Sequence, residues 1–456
     1  MPGNGPATLC RALPGGGADR VVQKDSTWKF CGQTKRKAGH RVRNRWGVAV
    51  AAVCMQICLG AAYGWSVFKN PLMHSEAWSE TSVQLNFTLT IVCFGLGTIL
   101  GGLWQDRQGP RKVATFASVL YGFGYVVAGI ASAQHSLGGL YLGYGLFAGV
   151  GMGMGYICPV TMLAKWFPDK RGLMTGIAVC GYGFGALLMS PLAAWEILHY
   201  GVPRTFETLG LVYFFLAFIA AQFFANPPQG WLPAGWVPRT AVARAATQTD
   251  FTVSEAFRTW QLYLLFLLLF LNISAGLMII GQASPMAQEM VGMPVIRAAG
   301  TVGFISIFNG LGRIFWAWIS DYIGRARVYF LLYLIQVFTF FALPRIHSWL
   351  FFGLAYALVG LCYGGGLGTM PSFTADYFGP KAMGAIYGAV LFVGNLSAIP
   401  SPLLIARIHQ SSRSYEPALR LAMFVLLFAL ILPLLSSQPV KEPGATPTPL
   451  PKQPVT

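Results

Sequence analysis

Long apolar stretches alternate with short polar connections over most of the 456 residues of the chain. Twelve of these stretches contain roughly 18–25 residues, the length that an α-helix needs to cross the hydrocarbon core of a bilayer. Helices are the only structures that fit, because lipid cannot satisfy the backbone polar groups of an open strand or loop. The predicted spans are residues 46–68, 82–104, 113–132, 138–160, 173–195, 206–226, 259–283, 298–319, 326–344, 349–371, 384–406 and 418–437.

The composition places this pattern in a membrane. Hydrophobic residues make up 55% of the chain and charged residues 10%, whereas soluble domains carry about 25% charged residues. The net charge of +17 would suit a nucleic-acid-binding protein, but its distribution argues against one. If the N-terminus is cytoplasmic, 24 of the 32 lysine and arginine residues lie on the inner side, the bias typical of cytoplasmic segments. We expect a multi-pass protein of the plasma membrane (a bacterial inner membrane), with both termini cytoplasmic and no nucleic-acid partner.

Several short motifs occur twice at nearly one spacing. Asp106 after the second span has its counterpart in Asp321 after the eighth, and Gly172 after the fourth span has its counterpart in Gly384 after the tenth. Such parallel repeats predict an all-α membrane protein with twelve transmembrane helices in two six-helix halves and a binding site between them. The predicted order is a disordered basic tail, one half, a cytoplasmic connection, the other half and a second disordered tail, over residues 1–45, 46–226, 227–258, 259–437 and 438–456.

Glycine is dense in the fourth span, from Gly149 to Gly155, and again in the tenth, from Gly364 to Gly366. The first run has a spacing like that of phosphate-binding loops, but no strand precedes it and it lies inside an apolar helix, which argues against a nucleotide site. Small residues let helices approach closely. Two interpretations stay open for these runs: close packing, or a bending element for alternating access.

Arg313 is the one charge in the apolar stretch 298–319 and lies past its middle. A charge at that depth costs roughly 2.5–3.5 kcal/mol on insertion scales. No acidic residue is available at the same depth to form a structural ion pair. Since a guanidinium can hold a carboxylate by two parallel hydrogen bonds, Arg313 predicts a buried anion-binding site.

Other polar residues lie near the same depth by residue counting. Asn309 precedes Arg313 by one helical turn and shares its face. Asn272 in the seventh span and Asn395 in the eleventh complete the amides of the second half, and Tyr63 lies late in the first span. We expect all four side chains to contribute to substrate binding; the alternative is that they hydrogen-bond neighbouring helices.

Charged residues recur where the second and eighth spans end, and we interpret them as a conformational latch. A carboxylate there can accept hydrogen bonds from the N-terminus of a neighbouring helix, while the basic residues pair with acids or backbone carbonyls. The alternative is an ordinary excess of basic residues in cytoplasmic connections. The residues concerned are Asp106, Arg107, Gly109, Arg111, Asp321 and Arg325.

All 15 acidic residues lie in loops, tails or at helix ends, and none of the six histidines lies at mid-membrane. Proton-coupled carriers usually need a titratable group in the pathway. Anion exchange or facilitated diffusion is therefore the expected driving mode, with a proton carried on the substrate as the alternative. The chain also lacks the nucleophile–base or metal cluster of an intramembrane enzyme, and we expect no cofactor and no metal.

Five strings together resemble one family. They are Tyr63-Gly-Trp-Ser-Val-Phe68, Gly101-Gly-Leu-Trp-Gln-Asp-Arg-Gln-Gly-Pro-Arg111, Trp166-Phe-Pro-Asp-Lys-Arg-Gly172, Asn226-Pro-Pro-Gln-Gly-Trp231 and Gln282-Ala-Ser-Pro-Met-Ala-Gln288. On these strings, over about residues 46–437, the chain resembles the oxalate/formate antiporter family of the major facilitator superfamily. The resemblance implies the major facilitator fold and transport of small carboxylates.

The resemblance also bears on the substrate. Family members use an arginine in the eighth span, which Arg313 matches through Asn309-Gly-Leu-Gly-Arg313. Oxalate exchangers place a lysine in the eleventh span, but residues 384–406 contain no lysine or arginine, and Asn395 lies near the expected depth. Related monocarboxylate carriers have an aspartate where this chain has Asn309. A single cation matches a monoanion better than a dianion.

Together these observations predict a monomeric secondary transporter or exchanger of small organic anions that works by alternating access and is not an enzyme. Lactate, pyruvate or formate is the preferred substrate class, and the lipid bilayer is the other expected partner. The alternatives are a dicarboxylate antiporter of the oxalate/formate type and a transporter-like sensor that binds a carboxylate and signals through its basic tail.

Overall fold

The computed structural model describes residues 20–24, 27–31, 44–76, 78–228, 231–233, 250–280 and 282–439. The chain divides into two compact units, Met1–Arg43 and Asn44–Thr456. The described part of the first unit is an antiparallel hairpin of β1 (Arg20–Lys24) and β2 (Thr27–Cys31). Most residues of the two tails, which were predicted to be disordered, lie outside the described ranges. Most residues of the predicted central connection lie outside them as well.

The described residues of the first half are mostly helical. Its sixteen-residue opening helix is followed by a tight 3₁₀ turn, and one stretch of the fourth span winds as a π-helix. The elements are α1 (Arg45–Gly60), the 3₁₀ turn Ala61–Gly64, α2 (Trp65–Glu76), α3 (Glu80–Gln108), α4 (Pro110–Ala133), α5 (Leu137–Leu140), the π-helix Tyr141–Ala148, α6 (Gly149–Trp166) and α7 (Arg171–Gln222).

The second half is built in the same way. A capping box formed by the side chains of Thr252 and Glu255 begins its first short helix, an arrangement that satisfies two otherwise unpaired backbone donors. The elements are α8 (Val253–Phe257), α9 (Trp260–Ile280), α10 (Ala283–Val291), α11 (Val295–Ile323), α12 (Arg325–Ala342), the 3₁₀ turn Leu343–Arg345, α13 (Trp349–Phe378), α14 (Met383–Leu396), α15 (Pro400–Ser412), α16 (Glu416–Ala429) and α17 (Ile431–Leu434).

Each predicted span falls on a helix. Within the described residues, eight helices are long and apolar enough to cross a bilayer, and α7 among them contains two predicted spans. The 29-residue α11 and the shorter apolar helices α1 and α14 complete the twelve crossings. The predicted fold class is confirmed, with local differences in two spans. The first span is divided between α1, the 3₁₀ turn and α2. The eleventh span is divided between α14 and α15, where Pro400 begins the second helix at a position that needs no backbone donor.

Three connections between consecutive helices consist of a single non-helical glycine. Gly109 links α3 to α4 with φ 87°, and Gly324 links α11 to α12 with φ 93°. Gly201, with φ 80°, separates the two spans of α7. Only glycine adopts these positive φ values without a steric penalty, which gives a physical reason for the glycine in both copies of the repeated motif.

Among the described residues, the two halves meet mainly along two helix pairs, α3 with α14 and α7 with α11. Both contacts bring backbones very close together. A Cβ atom placed on Gly102 would lie 2.2 Å from the Gly384 carbonyl oxygen, and one on Gly172 would lie 2.1 Å from the Ala317 carbonyl oxygen. The interface therefore requires glycine at these points in both pairs.

The glycine run of α6 faces two neighbours in turn. A Cβ atom on Gly149 would lie 2.9 Å from the Thr90 carbonyl oxygen of α3, and one on Gly153 would lie 2.0 Å from the Phe94 carbonyl oxygen. One on Gly151 would instead lie 2.6 Å from a backbone nitrogen of α4. The structure thus supports close packing as the explanation of this run.

We predict that Gly153→Ala destabilises the protein, because the added methyl group meets backbone atoms of α3 that cannot move aside. Overpacking of this kind costs roughly 1–3 kcal/mol. The thermal midpoint of the purified variant in detergent should fall by several degrees.

Gly47→Ala is the matched control for this prediction. A Cβ atom on Gly47 would meet nothing within 4 Å, and alanine favours a helix by roughly 0.5–1 kcal/mol over glycine. Its midpoint should stay the same or rise; equal losses in the two variants would contradict the packing explanation.

Candidate functional site

A cavity of about 560 Å³ lies between the two halves. It is bounded by the first part of α3, the middle of α7, the last turns of α9 and α14, and the first part of α11. Most of its lining is apolar, and none of the described lining residues carries a charge. The polar lining residues are Gln84, Thr88, Ser190, Ser306, Asn309, Tyr363 and Asn395.

Arg313 lies just behind the wall of this cavity and is only 1% exposed. Its Nε donates to Asn309 Oδ1 at 3.0 Å, and its Nη1 donates to the Val179 carbonyl oxygen at 2.8 Å. Hydrogen bonds to a charged group contribute roughly 1.5–3 kcal/mol each, comparable to the insertion cost of the charge. Since Val179 belongs to the first half, the guanidinium joins the two halves at the depth of the cavity.

Glycines in two neighbouring helices fix the position of the Arg313 backbone. A Cβ atom on Gly176 of α7 would lie 2.6 Å from the Arg313 carbonyl oxygen, and one on Gly368 of α13 would lie 2.3 Å from it. One turn away, a Cβ atom on Gly364 would lie 2.0 Å from the Asn309 carbonyl oxygen. Helix α11 is therefore held between α7 and α13 at Arg313, and it packs closely against α13 at Asn309.

The three predicted amides occupy different surroundings. Asn309 and Asn395 both line the cavity, and the Nδ2 atom of Asn395 has no hydrogen-bond partner among the described residues. Asn272 is fully buried in α9, donates to the Cys362 carbonyl oxygen at 3.2 Å and does not line the cavity. The geometry brings Asn309 and Asn395 to the cavity and gives Asn272 a contact between helices.

Two tyrosines of the first half, both in α4, lie away from the cavity. The side chain of Tyr63 lies outside the described part of the chain. Tyr121 is buried in a cluster of aromatic rings, and its hydroxyl donates to the Cys58 carbonyl oxygen at 3.4 Å. Tyr125 packs against it with ring centroids 5.1 Å apart. Neither ring lines the cavity, so both pack the interior of one half.

At the end of the bundle remote from the cavity, two aspartates cross the interface in related ways. Asp106 at the end of α3 accepts from the Ala385 backbone N–H at 2.9 Å, at the beginning of α14. Asp321 at the end of α11 accepts from the N–H groups of Gly172 and Leu173 at 2.9 and 3.1 Å, at the beginning of α7. Carboxylates at helix N-termini are stabilised by the helix dipole and the free N–H groups. We call this end of the bundle the closed end.

Basic residues extend one of these two contacts further than the other. Arg325 pairs with Asp321 at 2.7 Å and with Asp376 at 3.0 Å, and Asp376 in turn pairs with Arg171 of the first half at 2.5 Å. The Asp106 contact has Lys165 at 3.7 Å. Of the two aspartates, Asp321 belongs to the larger charge network.

The other residues of the motif after α3 lie in the first half and do not cross the interface as Asp106 does. Gly109 supplies the turn described above. Arg111 donates to Gln222 Oε1 through Nε and Nη2 at 3.1 and 2.9 Å, which corrects the expectation that it pairs with an acid or a backbone carbonyl. Arg107 is exposed at the end of α3. The Gln222 amide is a partner that residue spacing alone does not reveal, because the two residues are far apart in the chain.

The family model described as Major Facilitator Superfamily matches residues 45–402. The chain belongs to the major facilitator superfamily. It is therefore a membrane transporter and not an enzyme.

Three relatives of this superfamily member are informative. An uncharacterized MFS-type transporter, YhjX of Escherichia coli, is 27% identical over 77% of this chain and 85% of its own length. The oxalate:formate antiporter of Oxalobacter formigenes is 29% identical over 78% of this chain and 84% of its own, and apicoplast pyruvate carrier 1 of Toxoplasma gondii is 25% identical over 69% and 68%. The resemblance stated from the sequence strings is confirmed.

Solved structures agree on the fold. The transporter FucP, crystallised in the outward conformation, aligns with a TM-score of 0.66 at 13% identity, covering 86% of this chain and 99% of that one. At this identity the likeness shows the major facilitator fold alone.

Several residues at the site had no signal in the sequence. Gly183 and Phe184 of α7 and Phe392 of α14 line the cavity, and Tyr387 of α14 is fully buried within electrostatic reach of Arg313. In the sequence, these are small or aromatic residues of apolar spans, where packing is the ordinary role. Only the arrangement of the halves around Arg313 distinguishes them.

We predict that Asp321→Asn opens the closed end of this major facilitator more than Asp106→Asn does, because Asp321 accepts two backbone N–H groups and pairs with Arg325. Losing the charge at a partly buried helix N-terminus costs up to about 2 kcal/mol, a factor of up to about 30 in an equilibrium constant. Spin labels at Gln108 and Lys381, on a background without the native cysteines, would report the separation of the halves by pulsed electron resonance.

Asp169→Asn is the matched control for the two latch variants. Asp169 pairs with Arg45 at 3.1 Å within the first half, so its loss should leave the distance distribution unchanged. A larger opening in Asp106→Asn than in Asp321→Asn would contradict the assignment.

Proposed function

We propose that this major facilitator carries small monocarboxylates by alternating access, with Arg313 as the residue that binds the carboxylate. The observation that carries the proposal is a buried guanidinium placed behind an uncharged cavity at the contact of the two halves. A cation that is only 1% exposed attracts an anion strongly, because the protein interior screens charges less than bulk water does. A planar guanidinium also matches the two oxygens of a carboxylate.

The lining of the cavity favours a monoanion over a dianion. Asn395 faces the cavity from α14, in the span where oxalate exchangers of the resembled family place a lysine. An amide can donate a hydrogen bond to a hydroxyl or keto oxygen but cannot neutralise a second charge. Lactate, pyruvate and formate are therefore preferred to oxalate as substrates.

The relatives support this class of substrate. Among them are an oxalate:formate antiporter and a pyruvate carrier, both named for small carboxylates. Neither name fixes the acid that this chain transports.

The hydrogen bond from Arg313 to Val179 suggests how binding is coupled to movement. Rocking of the halves changes the distance between α7 and α11, so this bond has to break during the cycle. A bound carboxylate can accept from the same Nη1 donor and replace the carbonyl, whereas an empty site would leave the guanidinium without that partner. The coupling favours exchange of one anion for another over net movement of an empty carrier.

The distribution of basic residues gives the expected orientation. The closed end lies on the side that carries most of the lysine and arginine residues, which the positive-inside rule assigns to the cytoplasm. The cavity then faces outward, both termini are cytoplasmic, and a bacterial inner membrane is the proposed location. We propose a monomer as the working unit.

Purified protein in liposomes tests the function directly. Vesicles preloaded with unlabelled lactate, formate or oxalate should take up labelled lactate faster than empty vesicles, with little dependence on an imposed proton gradient. Binding without counterflow would favour a sensor, and preference for oxalate would favour a dicarboxylate antiporter.

We predict that Arg313→Lys lowers the rate of lactate counterflow by roughly 10- to 100-fold. Lysine keeps the charge but cannot form two parallel hydrogen bonds with a carboxylate, and each lost bond to a charged group is worth roughly 1.5–3 kcal/mol. Arg297→Lys is the matched control, since Arg297 is an exposed arginine of the same helix. Wild-type rates in Arg313→Lys would contradict the assignment.

We predict that Asn309→Asp makes transport dependent on pH. The introduced carboxylate would lie where Oδ1 now accepts from Arg313 Nε at 3.0 Å and would compete with the substrate for the guanidinium. Activity should be low at neutral pH and rise as the pH falls, because protonation removes the competing charge.

Initial counterflow rates at pH 7.5 and pH 5.5, on both sides of the membrane, measure this effect. Asn309→Ala has no group to protonate at this position and should show the same ratio of the two rates as the wild type. A rate of Asn309→Asp that does not rise toward acid pH would show that residue 309 does not compete for Arg313.

A further inference from the structure

Two residues separate the cavity from the Arg313 guanidinium. Gly183 and Asn309 both line the cavity, and both lie next to the cation. The Asn309 Oδ1 atom is 3.0 Å from Nε, and a Cβ atom placed on Gly183 would lie 3.7 Å from both Nε and Cζ. A carboxylate that enters from the cavity therefore approaches the guanidinium between these two residues.

The missing side chain of Gly183 leaves space for one small group at this point. A Cβ atom there would meet Gly310 Cα at 3.5 Å and the guanidinium at 3.7 Å, which are ordinary contact distances. This contrasts with Gly176 on the same helix, where a Cβ atom would lie 2.6 Å from a backbone oxygen. Packing excludes a side chain at Gly176, but it does not exclude one at Gly183.

Gly183 also follows Val179 by one helical turn. Side chains four residues apart lie on the same helix face and point toward the N-terminus, so a side chain at residue 183 would extend toward the Val179 carbonyl group. With glycine there, no side chain of residue 183 stands between the cavity and the carbonyl that holds Nη1.

We propose that Gly183 and Asn309 form the opening through which the substrate carboxylate reaches Arg313, and that Gly183 limits the bulk allowed on the carbon next to the carboxylate. This inference rests on the proposed carboxylate function and adds a determinant of specificity to it. Formate, which has no such carbon, passes most easily. Lactate and pyruvate come next, and 2-hydroxy-2-methylpropanoate, with a fully substituted carbon, is the most restricted.

The test is ligand-induced thermal stabilisation of the purified protein, since a ligand that binds the folded state raises its stability according to its affinity. Titrations with formate, lactate and 2-hydroxy-2-methylpropanoate give relative affinities without requiring transport. In Gly183→Ala, the affinity for lactate should fall by roughly tenfold or more relative to that for formate. The added methyl group would occupy the space that the carbon next to the lactate carboxylate needs.

Gly47→Ala is the matched control. Gly47 does not line the cavity, and a Cβ atom there would meet nothing within 4 Å, so the order and ratios of affinity should stay those of the wild type. Asn309→Ala widens the opening from its other side and should raise the affinity for 2-hydroxy-2-methylpropanoate relative to formate. This opposite shift tests the opening even if Gly183→Ala fails to fold.

The outcomes separate the two proposals. If none of the acids stabilises the wild type, the carboxylate function fails and the opening fails with it. If the acids stabilise the wild type but not Arg313→Lys, the function stands. In that case, equal affinity ratios in the wild type, Gly183→Ala and Asn309→Ala would overturn the opening alone.

Discussion

The hydrogen bond from the Arg313 guanidinium to the Val179 carbonyl oxygen, 2.8 Å long, is the interaction on which the rest of the arrangement depends. A buried cation needs partners, and one of the partners here belongs to the opposite half. The bond holds α11 against α7 at the depth of the cavity, and glycines at 176 and 368 allow the backbones to come close enough for it to form. The uncharged cavity beside it leaves this cation as the principal attraction for an anion.

The closed end and the cation act on the same pair of helices. Asp321 follows Arg313 on α11, and Gly172 precedes Val179 on α7, in each case by about two helical turns. We therefore expect a change at the guanidinium to reach the aspartate through these two helices. The Asp106 contact belongs to the other helix pair, α3 and α14. Occupancy of the site is thereby connected more directly to one latch than to the other.

Much of this architecture followed from the sequence, because a bilayer permits few structures. The twelve spans followed from the lengths of the apolar stretches, and the two halves followed from motifs repeated at nearly constant spacing. Arg313 was identified by the energetic cost of a charge inside an apolar stretch. The contacts between halves were not visible. Val179 contributes only a backbone carbonyl, and Gly183 contributes only the lack of a side chain, so neither residue type indicates a role. For Asn272, counting residues identified a buried amide but not its surroundings: it donates to the Cys362 carbonyl oxygen and does not line the cavity.

The single-residue links at Gly109, Gly201 and Gly324 have a mechanical consequence. A helix that ends in a long loop can slide or rotate while its neighbour stays still. A one-residue connection allows the two helices that it joins almost no independent movement. A displacement of α11 is passed through Gly324 to α12, and a displacement of the first span of α7 is passed through Gly201 to the second. Each half therefore moves as a rigid body. A small shift at a single side chain then produces a tilt of the whole helix bundle.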